Sequence, residues 1–319
     1  MFEKEEQYPV GGVDYPRTLQ EFDEWFSSEA ACIDYLQRVR WSGGFKCPGC
    51  GGNSAWATSR GQLRCKKCQR QTSVTAGTVF EGTRKPLRIW LQTMWHVTTQ
   101  KHGISALGLQ RVMGFSSYQT AWAWLHKLRR AMIRPGRDGL SVEVEVDETY
   151  VGGAETGVSG RKIKTKSIVM IAAEVRGRGI GRIRMARVED VSAESLVPFV
   201  QSTVQGGSIV RTDGWRSYNG LKKVGYDHWP KPISGSGDPA HVVMPRVHRV
   251  AALLDRWWLG IHQGAIRAMH LDYYLDEFSF RFNRRGSRAR GMLFYRLVQQ
   301  ALQLDPVPYK RLVKGKERE

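Results

Sequence analysis

Two closely spaced cysteine pairs constrain the fold of this chain more than any other feature. The pairs are Cys47-Pro-Gly-Cys50 and Cys65-Lys-Lys-Cys68, and the 14 residues from 51 to 64 separate them. Two such pairs, each on a tight turn, are the usual ligand set of a tetrahedral zinc site in a zinc ribbon. We therefore expect a structural Zn²⁺ ion held by Cys47, Cys50, Cys65 and Cys68.

Basic residues surround the second cysteine pair. Lys66 and Lys67 lie between its two cysteines, and Arg70 follows two residues later. Lysine and arginine side chains in such a turn suit contact with DNA phosphates, so we expect these three residues to bind DNA. The alternative is that the ribbon only stabilises the fold and that its basic face is solvated.

The charge of the whole chain indicates a polyanionic partner. Its 319 residues include 49 Lys and Arg against 30 Asp and Glu, a formal net charge of +19. Nucleic acid and acidic membranes are the usual partners of such a surplus. The longest uncharged apolar run is the six residues 168–173, whereas a membrane-spanning helix needs about 18. The polar N-terminus lacks the apolar segment of a secretory signal, so we expect a cytoplasmic protein that binds nucleic acid and no membrane.

Apolar spacing predicts helices in the first part of the chain. One amphipathic helix is expected over residues 19–39, and the stretch 83–132 is helical in pattern, with Pro86 in a first turn.

A helix-turn-helix pattern lies at the end of this helical stretch. An apolar segment from Ile104 to Met113 leads to a turn at Gly114 and then to a helix from Tyr118 to Met132. The last helix ends with three cations that we expect to contact DNA, namely Lys127, Arg129 and Arg130. Any helical hairpin with a glycine turn would show the same pattern without binding DNA.

The hydrophobic period changes near residue 140, which predicts a mixed α/β core. Apolar residues there alternate or form short runs, as in strands, and one helical segment interrupts them. The expected strands cover 142–146, 167–175, 180–188 and 208–212, with a helix over 192–204.

Two aspartates follow strands of this core. Asp147 closes the first strand and Asp213 closes the fourth. Carboxylates at the ends of neighbouring strands can converge on one cleft and bind Mg²⁺ or Mn²⁺, which prefer oxygen ligands. Each aspartate taken alone could instead be an ordinary turn or cap residue.

Three longer motifs show a family resemblance. They are Val146-Asp147-Glu148-Thr149-Tyr150-Val151-Gly152-Gly153, Thr212-Asp213-Gly214-Trp215, and Tyr274-Leu275-Asp276-Glu277-Phe278 with the basic segment to Arg285. Together with the ribbon they resemble bacterial insertion-sequence transposases that carry an N-terminal zinc ribbon and a DDE-type catalytic domain. The resemblance extends from about residue 19 to residue 303. It implies a ribonuclease H-like core, divalent metal, DNA cleavage and strand transfer at transposon ends, and a dimer or larger assembly on DNA.

The resemblance also implies three catalytic residues. Asp147 and Asp213 match the first two acids of the family, and the third is expected 35 residues after Asp213, where this chain has His248. A neutral imidazole can ligate a divalent ion, with a preference for Mn²⁺ over Mg²⁺, or act as a general base. His248 could instead contact DNA or pack beside Trp257. A family lysine seven residues further on is replaced by Asp255.

Other carboxylates are weaker candidates for the third position. Asp276 and Glu277 lie in a predicted helix that comes after Asp213 in the chain. Arg281 and Arg284 lie at helical spacings from them that favour ion pairs. The aromatic residues of the same region are expected in a core.

These observations predict a fold and a function. The fold is an α/β, ribonuclease H-like mixed-sheet core preceded by a zinc ribbon and a helical segment. The expected segments are a helical lead-in (1–40), the zinc ribbon (41–75), the helix-turn-helix segment (76–138), the catalytic domain (139–303) and a charged tail (304–319). The predicted function is a transposase that binds terminal inverted repeats and catalyses metal-dependent DNA cleavage and strand transfer. The alternatives are a non-catalytic repressor derived from a transposase and a structure-selective nuclease on the same core.

Overall fold

A computed structural model describes residues 8–134, 136–152, 166–232, 239–264 and 267–315. The chain divides into two compact units. Unit 1 comprises residues 1–133 and 287–314, and unit 2 comprises residues 134–286 and 315–319. Residues 153–165, which include the last glycine of the first family motif, lie outside the described ranges.

The described residues form helices and strands in the following chain order. The helices are α1 (Leu19–Trp25), α2 (Glu29–Arg40), α3 (Leu87–Thr99), α4 (Ala106–Met113), α5 (Tyr118–Arg130), α6 (Ala193–Thr203), α7 (Ala240–Val243), α8 (Pro245–His262), α9 (Leu271–Asn283), α10 (Arg290–Ala301) and α11 (Tyr309–Val313). The strands are β1 (Ala55–Ala57), β2 (Leu63–Cys65), β3 (Gln71–Thr72), β4 (Glu143–Val151), β5 (Ser167–Arg176), β6 (Gly179–Val188), β7 (Ile209–Thr212) and β8 (Asp227–Pro230). Short 3₁₀ helices cover Arg216–Val224 and Ala268–His270.

The expected single helix over residues 19–39 is two helices in the structure. α1 ends before Phe26, and Ser28 starts α2, where its hydroxyl accepts a hydrogen bond from the Ala31 N–H at 3.2 Å. A serine cap of this kind satisfies an N–H that would otherwise lack a partner, so it begins a new helix within a continuous apolar pattern.

The helix, turn and helix expected around Gly114 are present in unit 1. Ser105 caps α4, and Gly114 ends it with a left-handed φ of 62°. The turn places Phe115 against Trp124 of α5, and Trp124 stacks on Trp90 of α3 with ring centroids 3.5 Å apart. Aromatic packing therefore holds α3, α4 and α5 together as one apolar cluster.

The C-terminal residues of the chain differ from the expected charged tail. α11 contacts α5, and its Leu312 is fully buried, with 0% of its surface exposed. α10, which was expected within a catalytic domain ending at residue 303, contacts α2 and α3 and belongs to unit 1. Residues 309–313 thus form a helix with a buried apolar side chain and not a fully solvated charged run.

Unit 2 contains a mixed five-stranded sheet with the order β6-β5-β4-β7-β8. β4, β5 and β6 pair antiparallel, whereas β4, β7 and β8 run parallel. All four strands expected from the sequence are present, and β8 adds an edge strand. The arrangement confirms the mixed α/β fold and agrees with a ribonuclease H-like core.

Both faces of this sheet are covered by helices. α8 and α9 pack on one face, where Ile171, Met185 and Leu254 belong to a buried apolar cluster. α6 and the 3₁₀ helix at Arg216–Val224 contribute to the second cluster with Val146 and Leu196. The tryptophans and most other aromatic residues of α8 and α9 are buried, as expected for core residues. None of the helices in the described ranges combines the length and the apolar character needed to cross a membrane.

Candidate active site

Two parallel strands bring Asp147 and Asp213 together. β4 pairs with β7 from Glu143 to Glu145, and Asp213 follows the end of β7 directly. Because parallel strands end at the same edge of a sheet, their terminal side chains meet there. Single carboxylate oxygens of Asp147, Glu148 and Asp213 lie within 4.8 Å of one another. The two sequence-predicted aspartates therefore share one site.

Local hydrogen bonds orient both aspartates. Asp147 Oδ1 accepts a hydrogen bond from the Glu148 N–H at 2.9 Å, and Asp213 Oδ1 accepts one from the Trp215 N–H at 2.9 Å. The second bond is an Asx turn, which fixes the chain as it leaves β7. Asp147 is only 8% exposed, so burial also restricts its side chain.

Glu148 was not among the residues expected in this site. Neighbouring residues of a strand point to opposite faces of the sheet, so the strand pattern predicts that Glu148 and Asp147 lie on different faces. In the structure the β4–β7 ladder stops at Glu145, and Glu148 lies beside both aspartates beyond that point. Tyr218 donates a hydrogen bond to Glu148 Oε2 at 3.4 Å. The adjacency of two acids in the family motif was the available signal for its role.

His248 lies on α8 next to Asp147. Its Nε2 atom is 3.6 Å from Asp147 Oδ2, and within the described residues this nitrogen is buried without a hydrogen-bond partner. Two ligands of one ion, each about 2.1 Å from it, lie roughly 3–4 Å apart. The separation of the nitrogen and the carboxylate oxygen therefore fits a divalent ion between them.

The surroundings of His248 favour its neutral form. Burial lowers its pKa below the ordinary value of 6.5, and the negative charges of Glu145 and Asp213 offset only part of that effect. A neutral imidazole is the form that ligates metal. The donor set of two or three carboxylates and one imidazole suits Mg²⁺ or Mn²⁺, with the imidazole favouring Mn²⁺.

The other acidic candidates lie outside this group. Asp255 and the neighbouring Arg256 are exposed on α8. Glu277 is buried and accepts a hydrogen bond from Arg281 at 2.7 Å, which is the ion pair expected from the helical spacing. Asp276 is buried on the same helix. No group of possible metal ligands in the described ranges includes these acids.

The four paired cysteines of unit 1 also converge. Their sulfur atoms lie within 4.8 Å of one another, and the Cys47–Cys68 and Cys50–Cys65 sulfur distances are 3.5 and 3.6 Å. Sulfurs at the corners of a zinc tetrahedron are about 3.8 Å apart. Backbone N–H groups, first those of Gly49 at Cys47 and of Cys68 at Cys65, lower the pKa of both thiols, that of Cys47 to about 6. The cluster fits a Zn²⁺ ion bound by thiolates.

Comparison with known protein families assigns both of these regions. Residues 139–283 match the ISXO2-like transposase domain, and residues 27–71 match the transposase zinc-ribbon domain. Both matched domains are domains of transposases. Asp147, Asp213 and His248 all lie within the first match, and the four cysteines lie within the second. The ribbon match begins at residue 27, so it includes α2, which was expected in a separate lead-in segment.

A protein encoded in a mobile element is also similar to this chain. It is an uncharacterized protein in transposable element ISH50 of Halobacterium salinarum. The two sequences are 28% identical over 280 residues, which cover 80% of this chain and 91% of that protein. The similarity therefore extends over most of both chains.

The predicted DNA-binding residues fall into two groups. Lys66, Lys67 and Arg70 are exposed around the second cysteine turn, where phosphate could reach them. Arg129 is only 1% exposed and cannot reach DNA in this structure, which corrects the expectation for that residue.

The two other cations of α5 are also partly covered. Lys127 is half-buried, and burial, with a smaller contribution from Arg130, lowers its pKa. Arg130 donates a hydrogen bond to the Asp305 carbonyl oxygen at 3.2 Å. The end of α5 and Asp305 both belong to unit 1, so these two cations are partly covered within that unit.

The exposed positions of the helix-turn-helix lie elsewhere. Arg111 on α4 and Ser116, Tyr118 and Gln119 at the start of α5 are exposed. In helix-turn-helix proteins the first residues of the second helix contact base edges. That geometric rule selects the exposed start of α5, whereas the expectation from charge selects its basic end.

Proposed function

We propose that this chain is an active transposase, which binds the terminal inverted repeats of an insertion sequence and catalyses divalent-metal-dependent DNA cleavage and strand transfer. The observation that supports catalysis most is the convergence of carboxylate oxygens of Asp147, Glu148 and Asp213 within 4.8 Å of one another, with His248 Nε2 3.6 Å from Asp147 Oδ2. Two acids and a neutral imidazole form a donor set for a catalytic metal site.

The residues of this site have defined roles in the proposal. Asp147, Asp213 and His248 hold Mg²⁺ or Mn²⁺, and Glu148 is near enough to add a carboxylate. Bound divalent ions activate the attacking oxygen and neutralise the leaving oxygen in phosphoryl transfer. Asp147 Oδ1 accepts a hydrogen bond from the Glu148 N–H, and Asp147 Oδ2 faces His248 Nε2 at 3.6 Å.

The proposed chemistry consists of two in-line displacements. In the first, water attacks a phosphorus at the transposon end, the P–O3′ bond breaks, and the leaving 3′ oxygen takes up a proton to form a hydroxyl group. In the second, this 3′ hydroxyl loses its proton and attacks a phosphorus of target DNA, which forms a new phosphodiester bond and releases the target's 3′ oxygen. The second step exchanges one phosphodiester for another and needs no cofactor for energy.

The remaining parts of the proposal concern DNA and assembly. The zinc ribbon, through Lys66, Lys67 and Arg70, supplies contacts with the DNA backbone. The helix-turn-helix supplies base contacts in the terminal repeats. Joining two ends of one element requires at least two protomers, so the proposed active form is a dimer or a larger assembly on DNA in the cytoplasm.

Strand transfer by the purified protein tests this function. The substrates are the DNA ends that flank its own coding region, with Mg²⁺ or Mn²⁺ present. We expect joined products from the wild type and from Asp255→Asn, an exposed change on the helix that carries His248. Asp147→Ala and Asp213→Ala should abolish the products, and His248→Ala should reduce them. The fraction of wild-type activity that His248→Ala keeps should be larger with Mg²⁺ than with Mn²⁺, because the lost imidazole favours Mn²⁺.

Two results would contradict the proposal. Specific binding of the ends without cleavage in either metal would indicate a DNA-binding repressor. Cleavage of branched DNA regardless of terminal sequence, with no joined strands, would indicate a structure-selective nuclease.

A further inference from the structure

Glu145 is a fully buried acid that the proposed chemistry does not use. It lies on β4 two residues before Asp147, and 0% of its surface is exposed. Side chains two residues apart on a strand point to the same face, about 6.6 Å from each other along it. A buried carboxylate is costly unless hydrogen bonds and an opposite charge compensate it, so its partners indicate what it does.

The hydrogen-bond partners of Glu145 among the described residues belong to the first turn of α8. Its Oε2 atom accepts hydrogen bonds from the backbone N–H groups of Arg246 at 2.7 Å and Val247 at 3.1 Å. Its Oε1 atom accepts one from Arg246 Nη1 at 2.8 Å. The preceding residue, Met244, makes no side-chain cap. The cap that α8 lacks in its own sequence is therefore supplied by β4, and the negative charge also suits the positive end of the helix dipole.

Arg246 connects the same turn of α8 to a second part of the sheet. Its Nη2 atom donates a hydrogen bond to the Gly177 carbonyl oxygen at 2.6 Å, and its Nε atom donates one to the Gly179 carbonyl oxygen at 3.3 Å. Both glycines lie at the β5–β6 turn. Two attachments on different strands fix the start of α8 along the sheet and also its rotation about the helix axis.

His248 follows Arg246 by two residues, so this attachment sets where its ring lies. Its Nε2 atom is 3.6 Å from Asp147 Oδ2. β4 thus carries both Glu145, which fixes the start of α8, and Asp147, beside which α8 places His248. We propose that Glu145, through its contacts with Arg246 and Val247, is a positioning residue that places His248 beside Asp147 in the metal site. This inference rests on the proposed metal site and adds a residue to it.

The test measures Mn²⁺ affinity of the zinc-loaded full-length protein without DNA, by the electron paramagnetic resonance signal of free Mn²⁺. Loss of a residue that orients a metal ligand typically weakens binding 10- to 100-fold. We expect about this loss for Glu145→Ala and for His248→Ala. Because Glu145 acts through His248, the double variant should bind no more weakly than His248→Ala alone. Glu145→Gln, which keeps an acceptor for the two N–H groups, should recover part of the affinity.

A matched control distinguishes positioning from general loss of stability. Glu174 is also an ion-paired acid of this sheet, but its partner Arg182 lies on β6 and neither strand carries a site residue. Glu174→Gln should bind Mn²⁺ like the wild type. Circular dichroism at the assay temperature shows which variants are folded. If Glu145→Ala is unfolded, Arg246→Lys replaces it, since lysine cannot reach both Glu145 and the β5–β6 turn.

The outcomes separate this inference from the proposed function. Wild-type Mn²⁺ affinity in folded Glu145→Ala or in its Arg246→Lys replacement, or additive losses in the double variant, would overturn the positioning role. An equal loss in Glu174→Gln would overturn it as well. If Asp147→Ala and His248→Ala lose Mn²⁺ while Glu145→Ala retains it, the metal site stands and only the positioning role fails. If Asp147→Ala also retains Mn²⁺, the metal site fails too.

Discussion

Val142 adopts a backbone conformation that β-branched residues rarely occupy. Its φ is +70°, and its side chain is 77% exposed just before β4. A left-handed conformation costs an ordinary residue about 1–2 kcal/mol, whereas asparagine tolerates it. We expect Val142→Asn to raise the free energy of unfolding of unit 2 by about 1 kcal/mol, measured as a shift of its urea midpoint. Val142→Ala is the control, because alanine keeps the strain, and equal midpoints for the two variants would contradict the explanation.

Glu174 makes the stability of unit 2 depend on pH. Burial alone would raise its pKa, but hydrogen bonds from Arg182 and from the Ser141 N–H lower it below the ordinary value of 4.5. In the window between the two pKa values the unfolded chain binds more protons than the folded one, so stability rises with pH. The contribution is complete above pH 4.5 and is lost as the pH falls through the folded pKa.

Glu174→Gln should therefore flatten this dependence. We expect the wild type to lose more stability than the variant between pH 5 and pH 3, with urea midpoints of unit 2 as the measurement. Parallel midpoint curves for the two proteins would show that other acids determine the acid sensitivity.

The zinc ribbon is an element too small to fold through apolar burial alone. Its strands β1, β2 and β3 contain three, three and two residues. Small metal domains of this size depend on the ion for their folding free energy. We expect Cys47→Ser to release the zinc and to make residues 45–72 sensitive to protease, with cleavage sites and zinc content as the measurements. Cys32→Ser, which changes the buried cysteine of α2, should keep one zinc per chain.

The exposed residues of the helix-turn-helix predict DNA contact at the start of α5, whereas charge alone predicts it at the basic end. Gln119 is exposed at the start of α5, and Arg129 is buried near its end. If α5 enters the major groove, Gln119→Ala should weaken binding of the terminal repeat by about 1–3 kcal/mol and relax specificity at one base pair. Arg129→Ala should instead lower the stability of unit 1 and leave the DNA affinity of the folded fraction unchanged. Competition with randomised repeats in gel-shift assays measures both effects.

For the whole molecule, the net charge of +19 makes DNA binding depend on salt. Each cation that neutralises a phosphate releases counterions, so the logarithm of the affinity falls linearly with the logarithm of the salt concentration. We expect Lys66→Ala and Lys67→Ala each to reduce the magnitude of that slope by about 1 on any DNA sequence. Lys314→Ala, at the end of the described chain, is a matched control for net charge alone. An equal reduction in this control would show that total charge and not the ribbon surface determines the slope.

Features that depend on residues close together in the sequence were predictable. The cysteine turns, the helix and strand periods of the core, and the family motifs around Asp147 and Asp213 all arise from residues within one or two elements. The break between α1 and α2 was missed although Ser28 marks it, because the apolar pattern continues on both sides of the serine. A serine cap favours a new helix where the apolar period alone predicts a continuous one. Here the hydrogen bond between the Ser28 hydroxyl and the Ala31 N–H starts the new helix.

Features that depend on distant contacts were not predictable in the same way. The basic end of α5 is partly covered by a segment far along the chain, because Arg130 donates a hydrogen bond to the Asp305 carbonyl oxygen. Glu148 meets Asp213 because β4 and β7, which are distant in the sequence, pair side by side. Neither a covering segment nor the pairing of two distant strands has a local period that a sequence pattern could show.

The sequence by itself determined the resemblance to transposases, the mixed α/β fold and the residue types that suit zinc and divalent metal. These follow from local spacing, which places two ligands on one turn or an acid at the end of a strand. Only the tertiary structure decided which charges are buried and which acids meet α8. Glu145 and Arg246 are 101 residues apart, and a pair so distant forms only when the sheet and the helix have packed together.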